Sequence, residues 1–270
     1  MAETRVRRPR RFLVCEPRHF EVRYAINPWM RPEAPVDVEL ARTQWRTLVS
    51  AYRDHGHTVE EIDPVPGLPD MVFAANSAFV VGGRVFGSLF HAPERRPESE
   101  HYDAWFKTAG YDVYRPLSVT EGEGDLVWTG RYVLAGTGFR TSREAHREAQ
   151  EFFGHPVIAL TLVDPYFYHL DTALFVLDDD NVVYYPEAFS AGSQEVLRKL
   201  YPDAVLATRD DALAFGLNSV SDGRHVFIAP QAEALAARLD DHGYTPVPVD
   251  LSELHKAGGG IKCCTQEIRS

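Results

Sequence analysis

Two adjacent cysteines near the end of the sequence are the first residues whose chemistry needs an explanation. Cys263 and Cys264 lie in the segment GGGIKCCTQEI (258–268), and Cys15 is the only other cysteine. Adjacent cysteines make a poor zinc site, because zinc needs spaced ligands such as C-x-x-C with two further donors. A thiol becomes a nucleophile when a nearby base or cation favours the thiolate, and otherwise packs as a small inert hydrophobic group. This segment alone is compatible with both interpretations.

A histidine and an acid stand close together in YFYHLDTALF (166–175). His169 and Asp171 alternate with apolar residues, which predicts the start of a strand with both side chains on one face. A single histidine on a strand is most often a structural group. Burying a histidine together with an acid costs several kcal/mol unless the two meet partners or a charged ligand. The pair therefore indicates either a satisfied structural pair or a binding site.

Acidic residues also cluster among glycines in LSVTEGEGDLVWTGR (117–131). Glu121, Glu123 and Asp125 alternate with Gly or follow it directly, just before a predicted hairpin. Such a loop suits a solvated turn or a calcium site, although it lacks the ligand spacing of an EF-hand. Like the cysteines and the histidine, these acids are a weak signal until their place in the fold is considered.

The elements that must position these residues form a repeat of the order strand, strand, helix, strand. β-branched and aromatic runs broken by tight turns predict four hairpins, at 71–90, 125–136, 172–186 and 218–230. A predicted helix follows each hairpin, with Ser142 and Ser190 as N-caps of two of them. Short return strands then begin near 56, 110, 154, 201 and 243. The first of these follows a helix at 36–55. Such units cannot bury their own apolar faces, so they must pack on one another.

The first unit lacks a complete hairpin, which predicts that the two ends of the sequence pair. The segments RFLVCEP and GIKCCTQEI would supply its missing strands and close a ring. In a closed ring, equivalent hairpin entrances converge on one axis. The polar residues at these entrances are then expected to form one pocket, with Arg140 at its edge: Asp70, Asn76, Glu121, His169 and Cys263. A generic α/β sheet without symmetry is the alternative.

Composition and charge exclude several classes of protein. The 270 residues carry a net charge of -11, which disfavours nucleic acid and anionic membrane as partners because both require a basic face. No apolar run approaches the ~20 residues needed to span a bilayer. The basic run within residues 1–10 has no apolar stretch after it, so we expect a mobile leader rather than a signal peptide. Three cysteines make no disulfide framework, which favours a cytoplasmic location.

Several of these motifs together resemble the pentein superfamily of guanidine-modifying enzymes. PDMVFAAN, EGEGD, WTGR, GFRTS, HLDT and GGGIKCCT occur in the family order between residues 69 and 265. The superfamily includes dimethylarginine dimethylaminohydrolase, arginine deiminase, arginine:glycine amidinotransferase and the arginine dihydrolases, and FLVCEPRHFEVRYAINPWM is similar to the opening of the last group. The resemblance implies an α/β fold, a five-bladed propeller of ββαβ units around a pseudo-fivefold axis. It also implies one catalytic domain over 11–270.

The resemblance assigns catalytic roles to residues that match its motifs. Cys263 aligns with the nucleophile, whereas Cys264 falls at a position that varies among relatives. His169 aligns with the general acid and base. The acid of the site maps onto EGEGD, where Glu121 and Glu123 are rivals, and Glu121 is favoured because it precedes the glycine pair as in the dihydrolase branch.

The resemblance also assigns residues that bind a small cationic amino acid. By this resemblance, Asp171 binds the guanidinium and Asp70 binds the α-amino group. Arg140 and Arg95 bind the carboxylate, and Asn27 and Asn76 form part of the pocket wall. An asparagine at position 76 is similar to the arginine dihydrolases, whereas arginine deiminases have an aspartate at this position. An amide can donate a hydrogen bond to the carbonyl of a bound urea group, which a carboxylate cannot do.

The implied activity is cleavage of C–N bonds in the guanidino group of free L-arginine or Nω-methylated arginine, without a metal or organic cofactor. The product would be ornithine in a dihydrolase-like enzyme or citrulline in a dimethylargininase-like one. Two alternatives stay open, an amidinotransferase that uses an amine acceptor and a catalytically silent binding module. The oligomeric state, including a homo-oligomer, is also open.

Overall fold

Five three-stranded sheets form the framework of the molecule. The computed structural model describes residues 5–270. Within this range the fifteen strands, β1 to β15 in chain order, are Arg11–Cys15, Thr58–Ile62, Ala78–Val81, Arg84–Gly87, Val113–Tyr114, Leu126–Trp128, Val133–Thr137, Val157–Thr161, Leu174–Val176, Val182–Tyr184, Val205–Leu206, Val220–Ser221, His225–Ile228, Thr245–Pro248 and Gln266–Glu267. All four predicted hairpins and all five predicted return strands are confirmed.

Helices connect the strands of each sheet. In the same described range, α1 to α7 are Val38–Asp54, Glu98–Thr108, Arg143–Phe153, Ala191–Leu200, Arg209–Leu213, Glu233–Asp241 and Ser252–His255. The five longer helices were predicted, and the short α5 and α7 were not. The predicted N-caps are confirmed, because the hydroxyl of Ser142 accepts a hydrogen bond from the amide of Ala145 and that of Ser190 from the amide of Ser193.

The five sheets repeat one topology. Their strand orders are β15-β1-β2, β3-β4-β5, β6-β7-β8, β9-β10-β11 and β12-β13-β14. In each, the middle strand pairs antiparallel with one neighbour and parallel with the other. A tight turn joins an antiparallel pair, whereas a parallel pair needs a helical crossover, so the order hairpin, helix, strand dictates this pattern. The result is a mixed α/β fold of five similar units.

The first sheet joins the two ends of the described chain, as predicted. Phe12 of β1 pairs antiparallel with Glu267 of β15, and Leu13 pairs with Gln266. On its other edge β1 runs parallel to β2. The neighbouring turn is anchored to α1 by a hydrogen bond of 2.9 Å between the hydroxyls of Tyr52 and Thr265. Closure therefore fixes the segment that carries the two cysteines against the body of the protein.

Apolar side chains of strands and helices form the core between the sheets. The largest cluster packs residues of β9, β10 and β13 against α4 and α6. A second cluster packs β1 against α1 and includes both Cys263 and Cys264. Continuous burial of such apolar surface stabilises the fold by roughly 25 cal/mol per Å² removed from water.

The segments that lead into the hairpins differ from the prediction. His169 and Asp171 are not on a strand: Leu170–Thr172 is a 3₁₀ turn, and β9 begins only at Leu174. Similarly, Cys263 lies in a turn that precedes β15 rather than in a strand. Short 3₁₀ turns also cover Pro69–Val72 and Gly122–Gly124. The chemistry-bearing residues thus sit in turns at the ends of strands.

The predicted leader of residues 1–10 falls partly on residues 1–4, which lie outside the described residues. From Arg5 onward the segment contacts the folded body. Arg5 forms an ion pair of 2.8 Å with Asp178, and the amide of Arg8 donates to the carbonyl of Asp222 at 2.8 Å. The boundary at residue 10 and the mobility of the segment stay predictions. None of the helices in the described range is long and apolar enough to cross a membrane.

Candidate active site

Most of the residues singled out in the sequence line a single small cavity. Its volume is about 10 Å³, enough for one water-sized sphere. It is lined by Ile26, Asn27, Met30, Asp70, Phe73, Asn76, Arg95, Arg140, Tyr168, His169, Ala257, Gly259 and Cys263. Two predicted residues reach it through a neighbour, since Glu121 bonds His169 and Asp171 contacts Cys263. Several of these residues precede β3, β6, β9 or β15, so segments that lead into strands of four sheets meet here.

The turn that carries Cys263 requires glycine at its start. Gly258 has a φ of 80°, and a Cβ on it would lie 2.8 Å from Oδ1 of Asn27. This turn presents the Cys263 thiol to Oδ2 of Asp171, at 3.3 Å. Burial, followed by the charge of Asp171, raises the pKa of the Cys263 thiol well above its usual value. The resting sulfur is therefore a thiol, and a bound cation would be needed to favour the thiolate.

Cys264 has a different environment. It is fully buried in the apolar cluster beside β1 and α1, and it does not line the cavity. Burial, with a contribution from nearby Cys15, raises the pKa of its thiol. Cys264 therefore packs as a small hydrophobic side chain, and the two adjacent cysteines occupy separate environments.

His169, Glu121 and Arg140 form a buried chain of charged groups. Nε2 of His169 lies 2.6 Å from Oε2 of Glu121, and Nη1 of Arg140 donates to the same oxygen at 3.0 Å. Burial opposes ionisation of Glu121, but Arg140 and His169 outweigh it and hold the pKa of this carboxyl well below its usual range. An ionised Glu121 accepts from the imidazole and holds the orientation of His169.

Glu123, the other candidate acid, has different partners from Glu121. Its Oε2 accepts a hydrogen bond from Lys262 at 2.5 Å, and its other oxygen pairs with Arg269. Gly122, between the two acids, has a φ of 53°, and a Cβ there would lie 2.5 Å from the carbonyl oxygen of Ala78. The glycine lets the chain turn sharply, so the two acids take different partners.

Two buried carboxylates lack partners at one oxygen. Within residues 5–270, Oδ1 of Asp70 and Oδ1 of Asp171 meet no hydrogen-bond donor. Oδ2 of Asp70 accepts a hydrogen bond from the hydroxyl of Tyr24 at 2.7 Å. Burial raises the pKa of Asp70, and burial raises the pKa of Asp171 to about 6. Open buried oxygens on two acids are suited to a cationic ligand with several N–H donors.

Arg95 and Asn76 are joined to each other in this structure. Nη1 of Arg95 donates to Oδ1 of Asn76 at 2.7 Å, and its guanidinium binds both oxygens of Glu98, at 3.0 and 2.8 Å. Nδ2 of Asn76 donates to the carbonyl of Glu121 at 3.4 Å. Both arginines that line the cavity are paired with an acid: Arg95 with Glu98, and Arg140 with Glu121.

The loop that contains Asn27 closes one side of the cavity. Oδ1 of Asn27 accepts a hydrogen bond from the amide of Trp29 at 2.9 Å, and Nδ2 donates to the carbonyl of Ala257 at 3.0 Å. Nδ2 also lies 3.3 Å from the hydroxyl of Tyr168, which donates to the carbonyl of Gly258 at 2.9 Å. Asn27 therefore ties the loop to the turn before the cysteine.

Sequence reasoning missed residues that touch the site, foremost Asn218. Its Nδ2 lies 3.1 Å from the sulfur of Cys263, so it belongs to the environment of the thiol. Tyr24 and Tyr168 were missed as well. Asn218 leads into the fourth predicted hairpin, two residues before β12, as Asn76 lies two residues before β3, and this position was the available signal.

A larger cavity adjoins this site. It measures about 860 Å³ and is lined by charged residues of several sheets, with Asp171 among its lining residues. Within residues 5–270, no group of three or more His, Cys, Asp or Glu side chains is arranged to hold a metal ion. The proposed catalytic and substrate-binding groups described above line the small cavity or contact a residue that does.

Fold and site together place the chain among the guanidine-modifying enzymes that its sequence resembles. It belongs to the N,N dimethylarginine dimethylhydrolase family, because the family model described as eukaryotic matches residues 16–270. The N(G),N(G)-dimethylarginine dimethylaminohydrolase of Mycobacterium tuberculosis is 50% identical over 264 residues, which are 98% of this chain and 87% of that protein. The resemblance inferred from the motifs is therefore confirmed.

A second group of relatives consists of arginine dihydrolases. The bifunctional arginine dihydrolase/ornithine cyclodeaminase ArgZ of Synechocystis is 34% identical over 265 residues, which are 96% of this chain but only 37% of that protein. A crystal structure of the N-terminal domain of ArgZ, a cysteine-to-serine variant bound to substrate, has a TM-score of 0.93 and 33% identity. It covers 97% of this chain and 98% of that one. A structure of a dimethylarginine dimethylaminohydrolase adduct matches in fold, with a TM-score of 0.78 at 18% identity.

Proposed function

We propose that this protein hydrolyses C–N bonds in the guanidino group of free L-arginine or Nω-methylated arginine, with Cys263 as the nucleophile. One observation carries the proposal: a buried thiol, an acid-bound histidine and two carboxylates with open oxygens meet at one cavity. A binding module has no evident need of the thiol and histidine in this arrangement. The activities named for the relatives support the same class of reaction.

Substrate binding is the first step that these residues explain. A guanidinium is planar, always charged and rich in N–H donors, so carboxylates can hold it in a fixed orientation. Oδ1 of Asp171 and Oδ1 of Asp70 are the open acceptors, the first for the guanidinium and the second for the α-amino group. Because the cavity holds only about 10 Å³, its walls must move apart when substrate enters. Arg140 and Arg95 would then bind the substrate carboxylate.

The chemical steps follow from the environments of Cys263 and His169. The bound cation favours the thiolate, the thiol proton passes to His169, and the sulfur attacks the guanidino carbon. As the C–N bond breaks, protonated His169 gives its proton to the departing nitrogen. Neutral His169 then takes a proton from water, whose oxygen attacks the amidino-thioether and releases the thiolate. Glu121 orients His169 throughout.

The number of hydrolytic rounds depends on whether the site retains a neutral urea product. Asn76 supports a second round, since its amide can donate to the carbonyl oxygen of bound citrulline. A solved structure of ArgZ in which an asparagine is changed to serine holds a covalent reaction intermediate. The 50% identical relative instead carries the name of an enzyme that acts on dimethylarginine. Both product patterns are therefore tested together.

Product analysis tests the proposal directly. Purified protein is incubated separately with arginine, citrulline and asymmetric dimethylarginine, and the products are identified by mass. Ornithine with ammonia from arginine supports the dihydrolase reaction, and citrulline with dimethylamine supports the methylarginine reaction. Absence of turnover on all three substrates would refute the proposal and favour a silent binding module. Turnover only when an amine acceptor is added would favour an amidinotransferase.

The catalytic efficiency should fall as the pH drops through about 6. Burial raises the pKa of Asp171 to about 6, so below this value its carboxyl becomes neutral and no longer attracts the guanidinium. Because kcat/KM reports ionisations of the free enzyme, its acid limb should follow Asp171. The measurement is the pH profile of kcat/KM for wild type and Asp171→Asn. A wild-type profile that is flat through this range would contradict the assignment.

We further infer that the five sheets are blades of an α/β propeller around a pseudo-fivefold axis. The repeated topology and the pairing of β1 with β15 support this arrangement, as does the match to the ArgZ domain. In this proposal residues 11–270 form a single catalytic domain after a short basic leader. The protein acts in the cytoplasm on a small cationic amino acid and binds neither nucleic acid nor membrane.

A further inference from the structure

Asn218 makes several hydrogen bonds with the turn that carries Cys263, and no sequence motif indicated these contacts. It is buried, with 2% of its surface exposed, in the segment that leads into β12. Its Oδ1 accepts hydrogen bonds from the amides of Cys263 and Gly260, both at 3.1 Å. Its Nδ2 lies 3.1 Å from the Cys263 sulfur and donates to the carbonyl of Asp171 at 3.1 Å. Its own carbonyl accepts from the amide of Lys262.

The contacts of this side chain determine which end faces the sulfur. Two backbone N–H groups converge on one terminal atom, which must therefore be the oxygen, because an NH₂ group cannot accept these bonds. The NH₂ end is then directed at the sulfur and at the carbonyl of Asp171. In the described part of the chain, Asn218 is the only side chain that donates a hydrogen bond to the sulfur of Cys263.

We propose that Asn218 is a catalytic residue of this site, whose side-chain amide stabilises negative charge on the Cys263 sulfur while its oxygen fixes the turn that carries the nucleophile. The proposal rests on the proposed function in taking Cys263 as the nucleophile. A hydrogen bond donated to an ionised group is stronger than one donated to the neutral group, so this contact favours the thiolate. Burial and the charge of Asp171 raise the pKa of the Cys263 thiol, and the hydrogen bond from Asn218 acts in the opposite direction.

The same amide couples the nucleophile to Asp171, the acid proposed to bind the guanidinium. Nδ2 bridges the Cys263 sulfur and the backbone carbonyl of Asp171, while Oδ2 of Asp171 accepts from the thiol. When a guanidinium binds the open Oδ1 of Asp171, the thiol gains a neighbouring positive charge. The Asn218 amide then remains as a donor to the forming thiolate, so it acts in the state that attacks the substrate.

Two substitutions separate the action on the sulfur from the support of the turn. Asn218→Asp keeps an oxygen that can accept from the two backbone amides but removes the donor, whereas Asn218→Ala removes both. The readout is the rate of Cys263 alkylation by iodoacetamide as a function of pH, resolved by peptide mass spectrometry. Ser219→Ala is the matched control, because its hydroxyl bonds only the carbonyl of Gly216 in the same buried segment.

We expect the midpoint of Cys263 alkylation to rise by about one pH unit in Asn218→Ala and further in Asn218→Asp, because a carboxylate repels the thiolate. The kcat/KM of both variants should fall about 10- to 100-fold, and Ser219→Ala should resemble wild type. A wild-type alkylation profile in Asn218→Asp would overturn the proposal and leave a supporting role only. If wild type turns over none of the substrates, the proposed function fails, yet the alkylation profiles still decide the role of Asn218.

Discussion

Cys263→Ser is expected to lose turnover by at least about 10³-fold, because a serine hydroxyl cannot replace a thiolate as nucleophile without a stronger base. Substrate binding should survive, since the carboxylates of Asp70 and Asp171 are unchanged. Calorimetric titration with the substrate found by product analysis, together with single-turnover assays, measures the two properties separately. A relative gives a precedent for the binding result, because the AgrE cysteine-to-alanine variant was crystallised with L-arginine.

Cys264→Ala is the matched control for this experiment. Cys264 is the adjacent residue, equally buried, but it packs in the apolar cluster and not on the cavity. Its replacement should reduce stability slightly and leave the turnover per folded molecule near that of wild type. Comparable loss of turnover in both variants, or retained turnover in Cys263→Ser, would contradict the assignment of the nucleophile.

His169→Asn should lower kcat by about 10²- to 10⁴-fold, the usual contribution of a positioned general acid and base. Glu121→Gln should have a smaller effect of the same kind, because it removes the negative charge that lies 2.6 Å from Nε2 of His169. The two groups act as a unit, so the double variant should be little worse than His169→Asn alone. Steady-state kinetics of the three variants measure this coupling.

His146 provides a control for the general effect of replacing a buried histidine. Its Nε2 lies 3.0 Å from the carbonyl of Gly136, and it does not line the cavity. His146→Asn should change stability but not the kcat of the folded fraction. Strictly additive losses for Glu121 and His169 would show that the acid acts independently of the histidine, against the proposed mechanism.

The repeat could be predicted from sequence because its signals are local. Gly82 and Gly83 both adopt positive φ in the turn between β3 and β4, as a tight hairpin turn requires. Ser142 and Ser190 cap helices through contacts only three residues away. The pairing of β1 with β15 was predicted by counting incomplete units, since no local feature of either strand indicates which strand it pairs with.

The turns that hold the site could not be predicted in the same way. The alternation around His169 and Asp171 is typical of a strand, yet the chain forms a 3₁₀ turn there, in which the amide of Leu170 donates to the distant Asp125. Asn218 was not predicted, because an amide before a hairpin does not indicate a catalytic role until the structure places the Cys263 sulfur beside it. Glu121 and Glu123 could be separated only by their partners, which come from distant parts of the chain.

The pairing of β1 with β15 has a consequence for synthesis of the protein on the ribosome. Strand β1 emerges long before β15, so one edge of its sheet stays unpaired while the other four sheets are translated. Such late contacts between distant segments slow folding and leave an edge open to wrong partners. Because Cys263 directly precedes β15, its sulfur can approach Asp171 only after the other four sheets have been translated. Nascent chains that end before this segment therefore lack the proposed nucleophile.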